Sequence, residues 1–93
     1  MIQSFANKQT AAIFIGHRAK GLPEDIQQRA REKLKIIHAA LLIDDLRNPP
    51  GNMLERLSGN RQNQWSIRIN NQWRVCFEWH DDDAHKVEIT DYH

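Results

Sequence analysis

The sequence predicts an α+β fold in which two or three N-terminal helices pack on a mostly antiparallel, twisted β-sheet. Three observations predict it. Apolar residues recur at helical spacing only in the first half of the chain, apolar and polar residues alternate only in the second, and Asn48-Pro49-Pro50-Gly51-Asn52 between them interrupts both patterns. Helices followed by a run of strands form two layers around one core. Ninety-three residues, 40% of them hydrophobic, suffice for one such core and leave no room for a second, so a single domain over 1–93 is expected.

Residues 2–5 read as a short first strand. Residues 8–16 read as a modest helix, with Ala11, Ala12, Ile13 and Ile15 as its apolar content and Gly16 as its stop. Residues 17–21 are a basic, glycine-ended connector. The clearest element spans 23–42. Pro23 suits a first-turn position, and Glu24 and Asp25 suit the positive end of a helix dipole. Ile26, Ala30, Leu34, Ile37 and Leu41 define one apolar stripe, while Arg29, Arg31, Lys33 and Lys35 fall mostly off it and His38 lies at its border. Residues 43–47 extend this into a short third helix.

The second half reads as a meander. Residues 53–57 form a short strand and 58–61 a turn. In 64–69, Trp65, Ile67 and Ile69 share one face and Ser66 and Arg68 the other. Asn70-Asn71 reads as a tight turn, since asparagine tolerates positive φ. In 72–79, Trp73, Val75, Phe77 and Trp79 alternate with Arg74, Cys76 and Glu78. Asp81-Asp82-Asp83 is a second hairpin tip, and 86–92 the last strand, with Val87 and Ile89 inward.

A net charge of +1 gives no bulk electrostatic argument for nucleic acid. The local pattern is more specific, because the basic residues of the second half, Arg56, Arg61, Arg68 and Arg74, are all arginine except Lys86, and the planar arginine fork suits phosphate better than lysine does. Cys76, the only cysteine, lies in an apolar run and reads as a packing residue. There is no apolar run near the roughly 18 residues of a membrane span and no basic-then-apolar leader, so a cytoplasmic protein is expected. None of the five histidines stands at a recognised metal-ligand spacing, and His80 to His85 reads as an acidic hairpin tip. What remains is a guanidinium (Arg74), a carboxylate (Glu55) and an imidazole (His93) carried by one sheet. The arginine could steady a pentavalent phosphorane, and the histidine could move a proton. Strand-borne residues of these types are also ordinary solvent-facing polar residues.

Five segments carry a resemblance. Pro49-Pro50-Gly51-Asn52, Leu54-Glu55-Arg56-Leu57-Ser58-Gly59-Asn60-Arg61, Trp65-Ser66-Ile67-Arg68-Ile69-Asn70, Gln72-Trp73-Arg74-Val75-Cys76-Phe77 and Asp91-Tyr92-His93 together resemble, in order and spacing, the HigB branch of the RelE/ParE toxin superfamily. The first half fits in length and layout without a diagnostic motif. The resemblance implies the fold of microbial ribonucleases and metal-free, cofactor-free cleavage of messenger RNA in the ribosomal A site. In that chemistry a ribose 2′-OH attacks the adjacent phosphate and leaves a 2′,3′-cyclic phosphate. It implies Arg74 as the transition-state clamp and His93 as general acid, whose own α-carboxylate favours the imidazolium form. Where well-studied relatives carry a histidine and a lysine, this chain has Glu55 and Ser58. Glu55 then serves as the base or only pairs with an arginine, and Arg56 or Arg61 supplies the displaced charge. Arg56, Arg61, Arg68 and Tyr92 are the candidate RNA contacts. The implied partners are a helix-turn-helix antitoxin of the HigA type, the ribosome and its message, and operator DNA through the antitoxin complex only. The basic face of the long helix and residues 17–21 are candidate docking surfaces for that antitoxin. Two rival readings remain: a ParE-like gyrase poison, and a weakened toxin that persists as a binding or regulatory module.

Overall fold

Apolar side chains from both halves of the chain meet in one layer. The computed structural model describes residues 1–91. Helices α1 (Lys8–Phe14) and α2 (Glu24–Ala39) precede strands β1 (Glu55–Arg56), β2 (Gln64–Arg68), β3 (Trp73–His80) and β4 (Asp83–Asp91), which form one antiparallel sheet in the order β1-β2-β3-β4. Ile13 of α1 and Ile26, Ala30, Leu34 and Ile37 of α2 pack on Ile67, Val75, Phe77, Val87 and Ile89. Each large side chain so buried stabilises the fold by about 1.5–3 kcal/mol.

The helices start and stop for local reasons. Asn7 caps α1 by accepting from the Thr10 N–H at 2.8 Å, and Gly16 at φ 91 ends its last turn. Pro23 stands just before α2, and Glu24 and Asp25 occupy its first turn as expected. The helix is shorter than its pattern. It ends at Ala39, so Leu41, expected on the buried stripe, is 77% exposed. The expected third helix over 43–47 is a 3-10 turn (Ile43–Arg47), because Asp45 Oδ2 accepts from the Leu41 and Leu42 N–H groups and tightens the chain there. A second 3-10 turn, Pro50–Asn52, lies within the segment expected to break all helix. The basic face of α2 is also narrower than expected. Lys33 is buried, and the Arg31 guanidinium lies over Gly16, 3.4 Å from where a Cβ would stand. Among the described residues no helix is long and apolar enough to cross a membrane.

Strand alternation sorts the sheet, with one correction built into it. Val75 pairs with Ile89 and Trp79 with Ala84, all facing the helices, although those pairs differ in parity along β4. A bulge between Cys76 and Glu78 absorbs the difference, with Lys86 at φ 52 as the extra residue. Without it every side chain beyond the bulge would change faces. Of the two expected hairpin tips, the one at 81–83 is present as a tight two-residue turn, and the one at Asn70-Asn71 takes another form. Asp81 and Asp82, at φ 55 and 61, form the first between β3 and β4. Asn70 and Asn71 do not adopt positive φ. Instead Asn70 Oδ1 accepts from the Gln72 and Trp73 N–H groups at 2.8 and 2.7 Å, an Asx-type turn.

Residues 2–5 make only isolated parallel bridges, Ile2 with Ala84 and Phe5 with Val87, rather than a strand. They still cover the β4 edge, and the buried Thr10 hydroxyl extends that cover by accepting the Ile89 N–H at 3.0 Å. His38, expected at the border of the apolar stripe, holds this segment: its Nδ1 accepts the Ile2 N–H at 3.1 Å and its ring lies 5.2 Å from that of Phe14.

Candidate active site

The face of the sheet turned away from the helices collects the polar side chains. Glu55, Ser66, Cys76 and Glu88 stand in one cross-strand row, and Arg68, Arg74 and Thr90 in the next. Cross-strand partners share a face, so alternation alone brings these groups together.

Arg74 is the best-held of them. Its Nε donates to Ser66 Oγ at 2.7 Å, and its Nη2 donates to the Met53 carbonyl at 2.7 Å. Glu55 Oε2 lies 3.5 Å from the same Nη2. Only 13% of the Arg74 side chain is exposed, and among the described residues Nη1 makes no hydrogen bond. The guanidinium is thus fixed on two sides and offers its third to whatever enters from solvent. Met53 adopts the left-handed conformation, φ 46 and ψ 56, which costs a non-glycine residue on the order of 1 kcal/mol. That geometry turns its carbonyl toward Arg74.

Arg68 stands directly opposite Arg74, and the two like charges diverge. The Arg68 Nη2 donates to Asn71 Oδ1, and its Nη1 approaches Met53 Sδ at 3.8 Å. Between the two arginines opens a cleft of about 430 Å³, walled by Met53, Glu55 and the Asn70-Asn71-Gln72 turn. Two cations, one carboxylate and three amides around an open cleft match a phosphodiester and its flanking groups. The last described residue, Asp91, pairs with Trp73 in the ladder and accepts from Gln72 Nε2 at 3.0 Å, so β4 ends beside this cleft.

Two expected members stand apart from the cleft. Arg61 lies on the open face, but its Nη1 is committed to Glu88 Oε1 at 3.0 Å and Gln64 Oε1 at 3.1 Å. Arg56 does not share the face at all. It pairs with Trp65, whose row faces the helices, and its guanidinium lies 5.6 Å from the Trp65 ring centroid. Strand parity is the reason, since Arg56 follows Glu55 by one residue. Tyr92 and His93 lie outside the described residues.

Cys76 is fully buried, but under the open face, not in the helix-facing core. Burial pushes its thiol up to about 11, and the Arg61 guanidinium only partly offsets this. It is therefore a neutral filler at ordinary pH and no nucleophile. At the far end of the face the His80 and His85 rings stack at 3.8 Å, and among the described residues no three His, Cys, Asp or Glu side chains are grouped to hold a metal ion.

The roles of Ser66 and Met53 in holding Arg74 carry little signal in the sequence. A serine inside an alternating strand gives no signal of its own, although its place opposite Cys76 and two residues short of the Arg68–Arg74 pair follows once the hairpin is registered. For Met53 no signal exists, because left-handed backbone favours glycine or asparagine.

Comparison with known proteins first fixes the class. The chain is similar to one in a structure of the YoeB-YefM complex from Staphylococcus aureus, with a TM-score of 0.60 over 100% of this chain and 98% of that one, at 17% identity; the fold is RelE-like. The family model described as the RelE-like toxin of type II toxin-antitoxin system HigB matches residues 3–93, and the chain belongs to that family. It is 44% identical to Toxin HigB-1 of Vibrio cholerae serotype O1 over 64 residues, covering 69% of this chain and 67% of that protein. It is 32% identical to Endoribonuclease HigB of Proteus vulgaris over 93 residues, the full length of both.

Proposed function

We propose that this toxin is a ribosome-dependent endoribonuclease that cuts messenger RNA in the A site without a metal. The observation that carries the reading is the Arg74 guanidinium, held by Ser66 and Met53 beside Glu55, with Nη1 directed to neither partner, at the wall of an open cleft. A full-length relative named an endoribonuclease supports it.

In this reading Glu55 takes the proton from a ribose 2′-OH. The oxygen attacks the adjacent phosphorus, the bond to the 5′-oxygen breaks, and His93 donates a proton to that leaving oxygen. Arg74 stabilises the charge that grows on the non-bridging oxygens, a preorganised cation acting where charge develops. Arg68 contacts a neighbouring phosphate or base, and Tyr92 stacks on or packs beside one. Arg61 contributes only if RNA displaces Glu88, and Arg56 has no part. Docking in the ribosome supplies the orientation that a net charge of +1 cannot. The toxin acts in the cytoplasm. Its antitoxin is a helix-turn-helix protein of the HigA type, through which alone the complex reaches operator DNA.

The test is to add the purified protein to ribosomes programmed with a defined message and to map the ends produced. Cuts within the A-site codon, bearing 2′,3′-cyclic phosphate and lost in both Arg74→Ala and His93→Gln, are expected. Intact message, together with arrested supercoiling by gyrase in a parallel reaction, would replace this reading with the gyrase-poison one.

A further inference from the structure

The strap that gives the Met53 carbonyl to Arg74 is itself held from the helix layer. Lys33 of α2 is only 9% exposed, and its Nζ donates to Asn52 Oδ1 at 2.6 Å. Asn52 is fully buried. Its Nδ2 donates to the Leu46 and Asn48 carbonyls at 3.2 and 3.1 Å, and its backbone N–H donates to the Pro49 carbonyl at 2.9 Å. One side chain thus ties the 3-10 turns at Ile43–Arg47 and Pro50–Asn52 to α2. The next residue is Met53, whose left-handed backbone delivers the carbonyl that Arg74 Nη2 meets at 2.7 Å.

Packing alone does not account for an ammonium at this point. Burial holds the Lys33 amine below the usual lysine range, and the nearby Arg29 adds to the effect. A methionine would fill the same space without the desolvation cost of a charge. What a methionine cannot supply is a directed bond that fixes Asn52 in one orientation. Met53 gains from that fixation, since left-handed backbone persists only where its surroundings hold it.

We propose that Lys33 and Asn52 are positioning residues for the Arg74 guanidinium, acting from α2 through the left-handed turn at Met53. The proposal rests on the reading of Arg74 as the phosphate-binding group. It makes the helix layer part of the machinery on the opposite side of the sheet, although neither residue touches RNA. Misplacing a catalytic group by about 1 Å can cost on the order of a hundredfold in rate.

Lys33→Met keeps the aliphatic stem and removes the donor. Two readouts decide the outcome: the nitrogen-proton signal of Arg74 Nε–H, with its exchange rate with water, and steady-state cleavage of ribosome-bound message. The expected result is a shifted Arg74 signal that exchanges about tenfold faster. With it, kcat falls about ten- to a hundredfold while KM stays within about twofold. Lys33→Gln, one atom shorter but still a donor to Asn52, should recover part of kcat. A folded Lys33→Met protein with an unshifted Arg74 signal and wild-type kcat overturns the proposal. Should Lys33→Met not fold, the same readouts apply to Asn52→Asp, which keeps the acceptor for Lys33 and gives up the bonds to Leu46 and Asn48. If the wild-type protein cuts no RNA, the nuclease reading fails, and the Arg74 signal alone then supports or overturns the positioning role.

Discussion

On the face beneath α1 and α2 stand Ile67, Val75, Phe77, Val87 and Ile89, each no more than 4% exposed, whereas the opposite face of the same three strands carries Ser66, Arg68, Arg74, Cys76 and Glu88. The covered face is held by area, which is non-directional and tolerates exchange among apolar residues of similar size. The open face is held by directed bonds, Arg74 to Ser66 and Met53 and Arg61 to Glu88, in which a one-atom change removes a partner outright. The difference teaches that strand parity divides stability from chemistry in this toxin. Substitutions should therefore fail in different ways on the two faces.

The largest expected effect is on the covered face. Phe77→Ala should destabilise the fold by about 3–5 kcal/mol in urea unfolding, with activity falling only as the folded fraction falls. A loss below about 1 kcal/mol would mean that the core is not centred there. On the open face Arg74→Lys keeps the charge and loses the fork. Cleavage should drop about 10²–10³-fold, while unfolding shows a loss of only about 1–2 kcal/mol, from the unpaired Ser66 hydroxyl. Equal losses of rate and folded population would erase the division between the faces.

Much of this division was legible in the sequence, because alternation is a property of residue types. Ile67, Val75 and Phe77 announced the inner face, and Ser66, Arg68 and Arg74 the outer. Where backbone geometry departs from regular periods, legibility ended. The Lys86 bulge leaves no mark in composition, and the pattern of α2 ran on to Leu41 because Leu is apolar whether or not the chain has turned. Lys33 reads as one of the basic residues mostly off the apolar stripe, and only a buried amide partner makes its position intelligible. At the site, Arg74 and Glu55 could be named from residue type and family resemblance, but Ser66 and Met53 act through an exact hydroxyl and a backbone carbonyl. Neither feature is a property of a residue read one at a time.

A middle-sized effect sharpens the comparison at Cys76, which is buried under the open face without belonging to the helix-facing core. Burial holds the Cys76 thiol protonated up to about pH 11 in the folded state, against 9.0 for the free thiol. The raised value means that this contribution is fully present below about pH 9 and is lost as the pH rises toward about 11, by on the order of 2 kcal/mol. Urea unfolding of the wild type and of Cys76→Ala across that range should diverge in slope, with the wild type losing stability faster. Parallel slopes would show that the thiol is hydrated from the open face. Smaller still, Ser66→Ala should cost about 1 kcal/mol in stability and slow cleavage about tenfold, with KM unchanged, because Arg74 keeps its Met53 bond and loses only one of two anchors.

The smallest expected effect is the most exposed test of the parity argument. Arg56 adjoins Glu55 in the shortest strand, yet its ladder partner is Trp65, and its guanidinium rests against that ring at 5.6 Å. An exposed cation–π contact is worth about 0.5–1 kcal/mol. Arg56→Gln should therefore lower stability by about 0.5 kcal/mol or less, leave kcat and KM for ribosome-bound message at wild-type values, and leave the salt dependence of cleavage unaltered. Arg68→Gln, one strand away and on the open face, should raise KM several-fold and flatten that salt dependence, since a phosphate contact releases counterions. If Arg56→Gln behaved instead like Arg68→Gln, the RNA would have to wrap the β1 edge to reach both faces. Parity would then still order the core but would no longer mark where the substrate lies.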